Sequence, residues 1–133
     1  MTRNAPSPDK LSRLELLVME FIWTHGASTS EQVRDGLRKD WPMKDSTART
    51  ILRRLESKGF LTHTVDGRTY IYQGVEGREN VAIRAVRQIV DRFCQGSVES
   101  LLVGMVENEV IDKEQLAELA RKVQGKKKGG RKR

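Results

Sequence analysis

Ser46, Arg49, Thr50 and Arg53 recur at three- and four-residue intervals in the run DSTARTILRRLESKG, and helical spacing gathers them on one face. Guanidinium and hydroxyl groups collected in this way suit the base edges of a DNA major groove. Arginine offers guanine two parallel N–H donors, and a hydroxyl can donate or accept. Thr47, Arg54 and Lys58 on the same helix, and Arg68 further along, are candidates for phosphate contacts that set register without reading bases. The opposite side carries Ala48, Ile51, Leu52 and Leu55, an apolar back able to pack on a domain. Solvated surface helices also carry arginines, so the segment alone leaves both readings open.

The elements around it shift that balance. Ser12 with Glu15 forms a capping-box pattern, flanked by Leu11 and Leu16 as a hydrophobic staple. Leu16, Met19, Ile22 and Trp23 then follow at helical spacing up to Gly26. Thr29 and Gln32 open a second, short helix with Val33 and Leu37 inward, closed by Trp41-Pro42. The helix bearing the arginines comes third, with Asp45 expected as its N-cap and Lys58-Gly59 at its end. Phe60 to Gln73 reads as a β-hairpin turned at Asp66-Gly67. Pairing Val65 with Arg68 places Leu61, His63, Tyr70 and Tyr72 on one face and Arg68 at the tip.

Beyond Gly77 the pattern returns to helix. Val81 to Phe93 has a broad apolar face, Gly96-Ser97 breaks it and caps a short apolar helix, and Asp112 with Gln115 caps a last one. Some 45 residues in three such helices are too few for a core of their own. They either fold back on the front of the chain or pair with a second copy, and the second is the expectation. The side chains expected at that homodimer interface are Val86, Ile89, Val90, Phe93, Leu101, Leu102, Met105, Leu116 and Leu119. The expected organisation is therefore a disordered N-terminus over 1–10, a DNA-binding domain over 11–75, a helical dimerisation region over 76–124 and a basic disordered tail over 125–133.

Charge refines this division. The formal net charge is +7, but eight of the 25 Lys and Arg lie between Arg121 and Arg133, leaving residues 1–120 at −1. Residues 1–75 hold 12 basic and 9 acidic groups, and 76–120 hold 5 and 9, a mildly basic front before an acidic back. Specific binding must then rest on a few placed groups, with the tail adding general attraction to phosphate. Cys94 is the single cysteine, which excludes an intramolecular disulfide and fits a reducing compartment. No signal peptide or membrane-length apolar run is visible, so the expected location is cytoplasmic without membrane insertion. His25 and His63 lack metal-site spacing, and no nucleophile–base pattern or phosphate-cradling glycine loop occurs. The expectation is a non-enzyme with no metal and no cofactor.

Three helices followed by a hairpin is the winged-helix order. The run LSRLELLVMEFIW, then TSEQV, then TARTILRRL with KGFL, then DGR with the two following tyrosines, resembles the BlaI/MecI family of penicillinase repressors over about residues 11–123. The resemblance implies a mainly α fold with a small hairpin, a winged helix-turn-helix domain followed by helices that dimerise, and repression at a dyad-symmetric double-stranded DNA operator. It matches Thr47, Arg49, Thr50 and Arg54 to polar positions of the recognition helix and Arg68 to the wing arginine. Ser46 and Arg53 come from helix geometry alone. Two departures touch the inducing signal. Aligning on the Gly-Ser break puts Gly104-Met105 where resistance-system members carry an Asn-Phe bond cut by a membrane sensor protease, so that partner is not implied here. Copper-responsive members carry a cysteine pair near the C-terminus, which this chain lacks. A winged-helix adaptor that docks a protein rather than DNA is the alternative.

Overall fold

The computed structural model describes residues 6–130. Six helices and one antiparallel hairpin follow in the order α1 (Arg13–His25), α2 (Ser30–Gly36), α3 (Asp45–Ser57), β1 (Leu61–Asp66), β2 (Thr69–Gly74), α4 (Arg78–Phe93), α5 (Val98–Glu107) and α6 (Lys113–Gly130). Two compact units result, Met1–Arg87 and Gln88–Arg133.

Local signals start the first two helices. Ser12 accepts from the Glu15 N–H at 3.1 Å while the Glu15 carboxylate accepts from the Ser12 N–H at 2.9 Å. Thr29 and Gln32 repeat the exchange at α2. These reciprocal bonds satisfy backbone donors that a helix start leaves open. At the other end of α3, Gly59 adopts φ +94°, and the bonds Gly59 N–H to Glu56 O and Phe60 N–H to Leu55 O close the helix. Only a left-handed residue permits this double closure, which is the Schellman geometry. It turns Phe60 back into the core.

That core joins Val18, Met19 and Ile22 of α1, Val33 of α2, and Ile51, Leu52 and Leu55 of α3. Phe60, Leu61 and Tyr72 of the hairpin and Val81 of α4 complete it. Leu16, assigned to the buried stripe of α1 on spacing, is 42 % exposed, and Val18 is fully buried. The hairpin is tied to the helices by backbone as well. Ser28, between α1 and α2, exchanges both backbone hydrogen bonds with Tyr72 at 2.9 and 2.8 Å, extending the two strands with a third short rung. This three-helix domain with its hairpin is a winged helix-turn-helix.

The hairpin register differs from the expectation. Asp66 pairs with Thr69 and Val65 with Tyr70, so the two-residue loop is Gly67-Arg68 rather than Asp66-Gly67. Gly67 has φ +68° and Arg68 is not left-handed, so the turn has the II′ pattern with glycine first, not I′. The shift is an even number of residues, which leaves Leu61, His63, Tyr70 and Tyr72 on one face as expected.

Two terminal segments also differ. Residues 8–10 form a 3-10 turn, the Pro6 carbonyl accepts from Arg84 Nε at 2.8 Å, and the Lys10 carbonyl accepts from Lys58 Nζ at 2.7 Å. Side-chain donors thus order a stretch expected to be disordered, while residues 1–5 lie outside the described residues. α6 continues past Gln124 to Gly130. Residues 131–133 of the expected tail lie outside the described residues.

In the second unit, Ser97 caps α5 by accepting from the Ser100 N–H, and Asp112 and Gln115 complete a capping box before α6. Val90 is buried within one chain. Phe93 is 75 % exposed, and Ile89, Leu102 and Leu119 are also exposed, as is Val86 earlier on α4. Leu101, Met105 and Leu116 are half-buried. Among the described residues no helix is long and apolar enough to cross a membrane.

Candidate nucleic-acid interface

α3 divides its surface as its sequence dictates. Ala48, Ile51, Leu52 and Leu55 are all buried. Ser46, Arg49, Thr50 and Arg53 are exposed, Thr47 is half-buried, and Arg54 is exposed on the flank nearer α1. α2 packs against α3, and β1 follows α3 through the Gly59 closure, so the exposed face is framed by α2 on one side and the hairpin on the other. A wide concavity lies in that frame. Thr29, Ser30, Glu31 and Arg34 line it from α2 and its cap, Asp45, Arg49 and Arg53 from α3, and Arg68 to Tyr70 with Tyr72 from the hairpin.

Its charges are partly paired. Asp45 is not the N-cap; Lys44 occupies that position and makes no side-chain cap bond. The Asp45 carboxylate instead accepts from Arg49 Nη2 at 2.5 Å through Oδ2 and from Arg34 Nη1 at 3.4 Å through Oδ1. Two arginines outbid a backbone amide for the carboxylate, since charge-assisted bonds are the stronger ones. Arg34 also reaches Asp35 at 3.0 Å and Glu31 at 3.9 Å. The Asp35 hydrogen bond leads the causes that hold its pKa above the ordinary value. Arg53 and Arg68, by contrast, make no ion pair among the described residues.

Thr50 is committed in a different sense. Its hydroxyl donates to the Ser46 carbonyl at 2.9 Å. With the proton given to the helix, the exposed oxygen remains an acceptor, fit for an exocyclic amine of a base. On the hairpin, His63 Nδ1 lies 2.8 Å from both oxygens of Glu56, and the His63 ring stacks on Tyr70 with centroids 4.0 Å apart. These contacts brace the wing against the end of α3 and leave Tyr70 46 % exposed beside Arg68. Burial pushes the Tyr72 hydroxyl up in pKa, with Glu56 adding to the effect.

Lys58 requires a correction. Its ammonium donates to the Glu15 carboxylate at 2.7 Å as well as to the Lys10 carbonyl. Glu15 is only 1 % exposed. Burial alone would raise the pKa of this carboxyl, but the Lys58 hydrogen bond, the Ser12 N–H and the nearby charges of Lys58 and Arg54 outweigh it and hold it below 4.5. Lys58 is therefore engaged by the fold, where it neutralises Glu15. The sequence could not reveal this, because Glu15 is already accounted for by its capping box and the two residues are 43 apart.

The model of the penicillinase repressor family matches residues 11–125, the winged helix and the helices after it. The chain belongs to the penicillinase repressor family. It is 29 % identical over 111 residues to the penicillinase repressor of Bacillus licheniformis, covering 83 % of this chain and 86 % of that one. It is 26 % identical over 112 residues to the methicillin resistance regulatory protein MecI of Staphylococcus aureus strain N315, covering 83 % and 89 %. Among solved structures, the transcriptional regulator Tm0710 of Thermotoga maritima superposes with a TM-score of 0.52 at 18 % identity, over 90 % of this chain and 75 % of that one. The last likeness concerns the fold alone.

Of the polar residues singled out on sequence, Arg49, Arg53 and Arg68 line the one concavity, while Arg54 lies toward Glu15. Asp45, Arg34 and Tyr70 were not assigned to it. For Asp45 the four-residue spacing to Arg49 was a readable signal. Arg34 and Tyr70 come from other elements and reach the site only through packing. Among the described residues no group of His, Cys, Asp and Glu is arranged to hold a metal ion.

Proposed function

We propose that the chain is a sequence-specific transcriptional repressor that binds a dyad-symmetric operator as a homodimer. The observation that carries the reading is the division of α3. Every apolar residue of its inner face is buried, and Ser46, Arg49, Thr50 and Arg53 are exposed on the outer face between α2 and the wing. A helix so placed enters a major groove with its outer side chains at base edges. In this reading Ser46, Arg49, Thr50 and Arg53 read bases, whereas Thr47, Arg54 and the wing Arg68 hold phosphate. Residues 11–75 form the DNA-binding part and 76–124 the dimerising part. The apolar side chains left exposed there, Phe93 above all, support the pairing of two copies. Repression then follows from occupancy of a promoter in the cytoplasm. No Asn-Phe pair marks the Gly104-Met105 bond in α5, so release by a membrane sensor protease would call for one of different specificity.

Selection from a random duplex library tests the proposal. The expected outcome is enrichment of one palindromic site bound by two chains, with half-sites about 10 base pairs apart or a multiple of that. A folded protein that enriches no sequence would instead fit the adaptor alternative.

A further inference from the structure

The carboxylate of Asp45 is an odd occupant of a DNA-binding concavity. It repels phosphate, and it engages two of the four arginines there, Arg34 and Arg49. A surface built for maximal attraction would place no acid between them. Its geometry nonetheless ties together the two helices of the helix-turn-helix: Oδ1 faces Arg34 of α2, and Oδ2 faces Arg49 one turn along α3. Arg49 is 58 % exposed at its side chain, so this bond, and not packing, fixes the direction of its guanidinium.

Resting on the repressor reading above, we infer that Asp45 is a specificity-determining positioning residue: it aims Arg49 at the groove and withholds the Arg34 and Arg49 charges from phosphate of any sequence. Two consequences are coupled. On operator DNA, Arg49 arrives with its rotamer set, so less side-chain freedom is lost when it meets a base. On random DNA no base contact compensates the nearby negative charge, and affinity is held down. The discrimination between the two is widened from both sides. This agrees with a charge distribution in which residues 1–120 carry no net positive charge, so that selectivity depends on a few groups held in place.

Asp45 also stands at the positive end of the α3 dipole, and a purely structural role there would change stability without changing discrimination. The test therefore reads a ratio. Wild type, Asp45→Asn and Asp45→Glu are titrated by fluorescence anisotropy against the selected duplex and a scrambled duplex over a salt series, with thermal melts in parallel. Asp45→Asn is expected to bind scrambled DNA about 3- to 10-fold more tightly, with a salt slope steeper by about one released counterion. It should bind the selected duplex no better than wild type, so the ratio falls by at least about 3- to 10-fold. Asp45→Glu can still span one helical turn to Arg49 and should keep most of the ratio. An Asp45→Asn ratio within twofold of wild type, whatever the melts show, overturns the inference. A wild type that prefers neither duplex instead removes the repressor reading on which it rests.

Discussion

Replacing Lys58 with methionine separates a structural role from a DNA-binding one. The substitution keeps most of the aliphatic stem and removes the ammonium that neutralises Glu15, a carboxylate 1 % exposed. Breaking a fully buried pair by removing one partner costs about 3–5 kcal/mol, and a single charge-assisted hydrogen bond contributes about 1.5–3 kcal/mol. Here the Ser12 N–H still serves the carboxylate and the Lys58 side chain is 32 % exposed, so the lower range applies. A loss of about 2 kcal/mol follows, or a urea midpoint lower by about 1 M for a slope near 2 kcal/mol/M. The pH dependence gives the sharper test. Glu15 has its folded pKa below 4.5, so the stabilisation is present above that value and is lost as pH falls through the folded pKa. Without Lys58 the largest lowering influence disappears and burial drives the pKa upward. The gap between variant and parent should therefore be full at about pH 7 and narrow strongly at a pH below the folded pKa of the parent, where both carry a protonated Glu15. Urea denaturation at the two pH values, at equal protein concentration, reads it. An equal gap at both values would refute the charge pair. A salt slope for DNA binding that is shallower than the parent's would refute the removal of Lys58 from the phosphate contacts.

Arg53→Ala should weaken binding to the selected duplex by about 1–3 kcal/mol and affect scrambled DNA much less, measured by anisotropy; equal losses on both would exclude base reading by Arg53. Phe93→Asp places a charge on the most exposed large apolar side chain of the second unit and should shift the chain toward monomer in sedimentation equilibrium. An undisturbed dimer would move the interface elsewhere. Truncation after Gln124 removes six of the Lys and Arg of the C-terminal run and should flatten the salt slope on any DNA. An unchanged slope would show that the segment does not meet phosphate.

What could be read from the chain was local. Ser12 with Glu15, Thr29 with Gln32, and Asp112 with Gln115 are reciprocal pairs three residues apart, and all three close. The apolar period of Ala48, Ile51, Leu52 and Leu55 fixed the buried side of α3, and with it the outer face, because a helix has only one way to turn. Gly59 stops α3 for a reason intrinsic to glycine. What escaped depended on partners remote in sequence or in competition. Asp45 has the side chain of an N-cap, but two arginines, one from another helix, draw it away from the backbone. Lys58 looks like one more cation on a basic helix until Glu15 is brought to it from the first helix. The hairpin was placed, but its register moved by two because glycine leads a II′ loop as readily as it ends an I′ loop, and only pairing decides between them.

The central claim is that a few placed side chains on α3 and the wing read DNA sequence. Its most direct measurement is the affinity ratio of the intact chain for its selected duplex against a scrambled duplex of the same composition, at about 0.15 M salt. A ratio of at least about 10³, as for sequence-specific regulators, is predicted. Affinities within about threefold of each other, with equal salt slopes, would show binding to the phosphate backbone alone and would contradict the account.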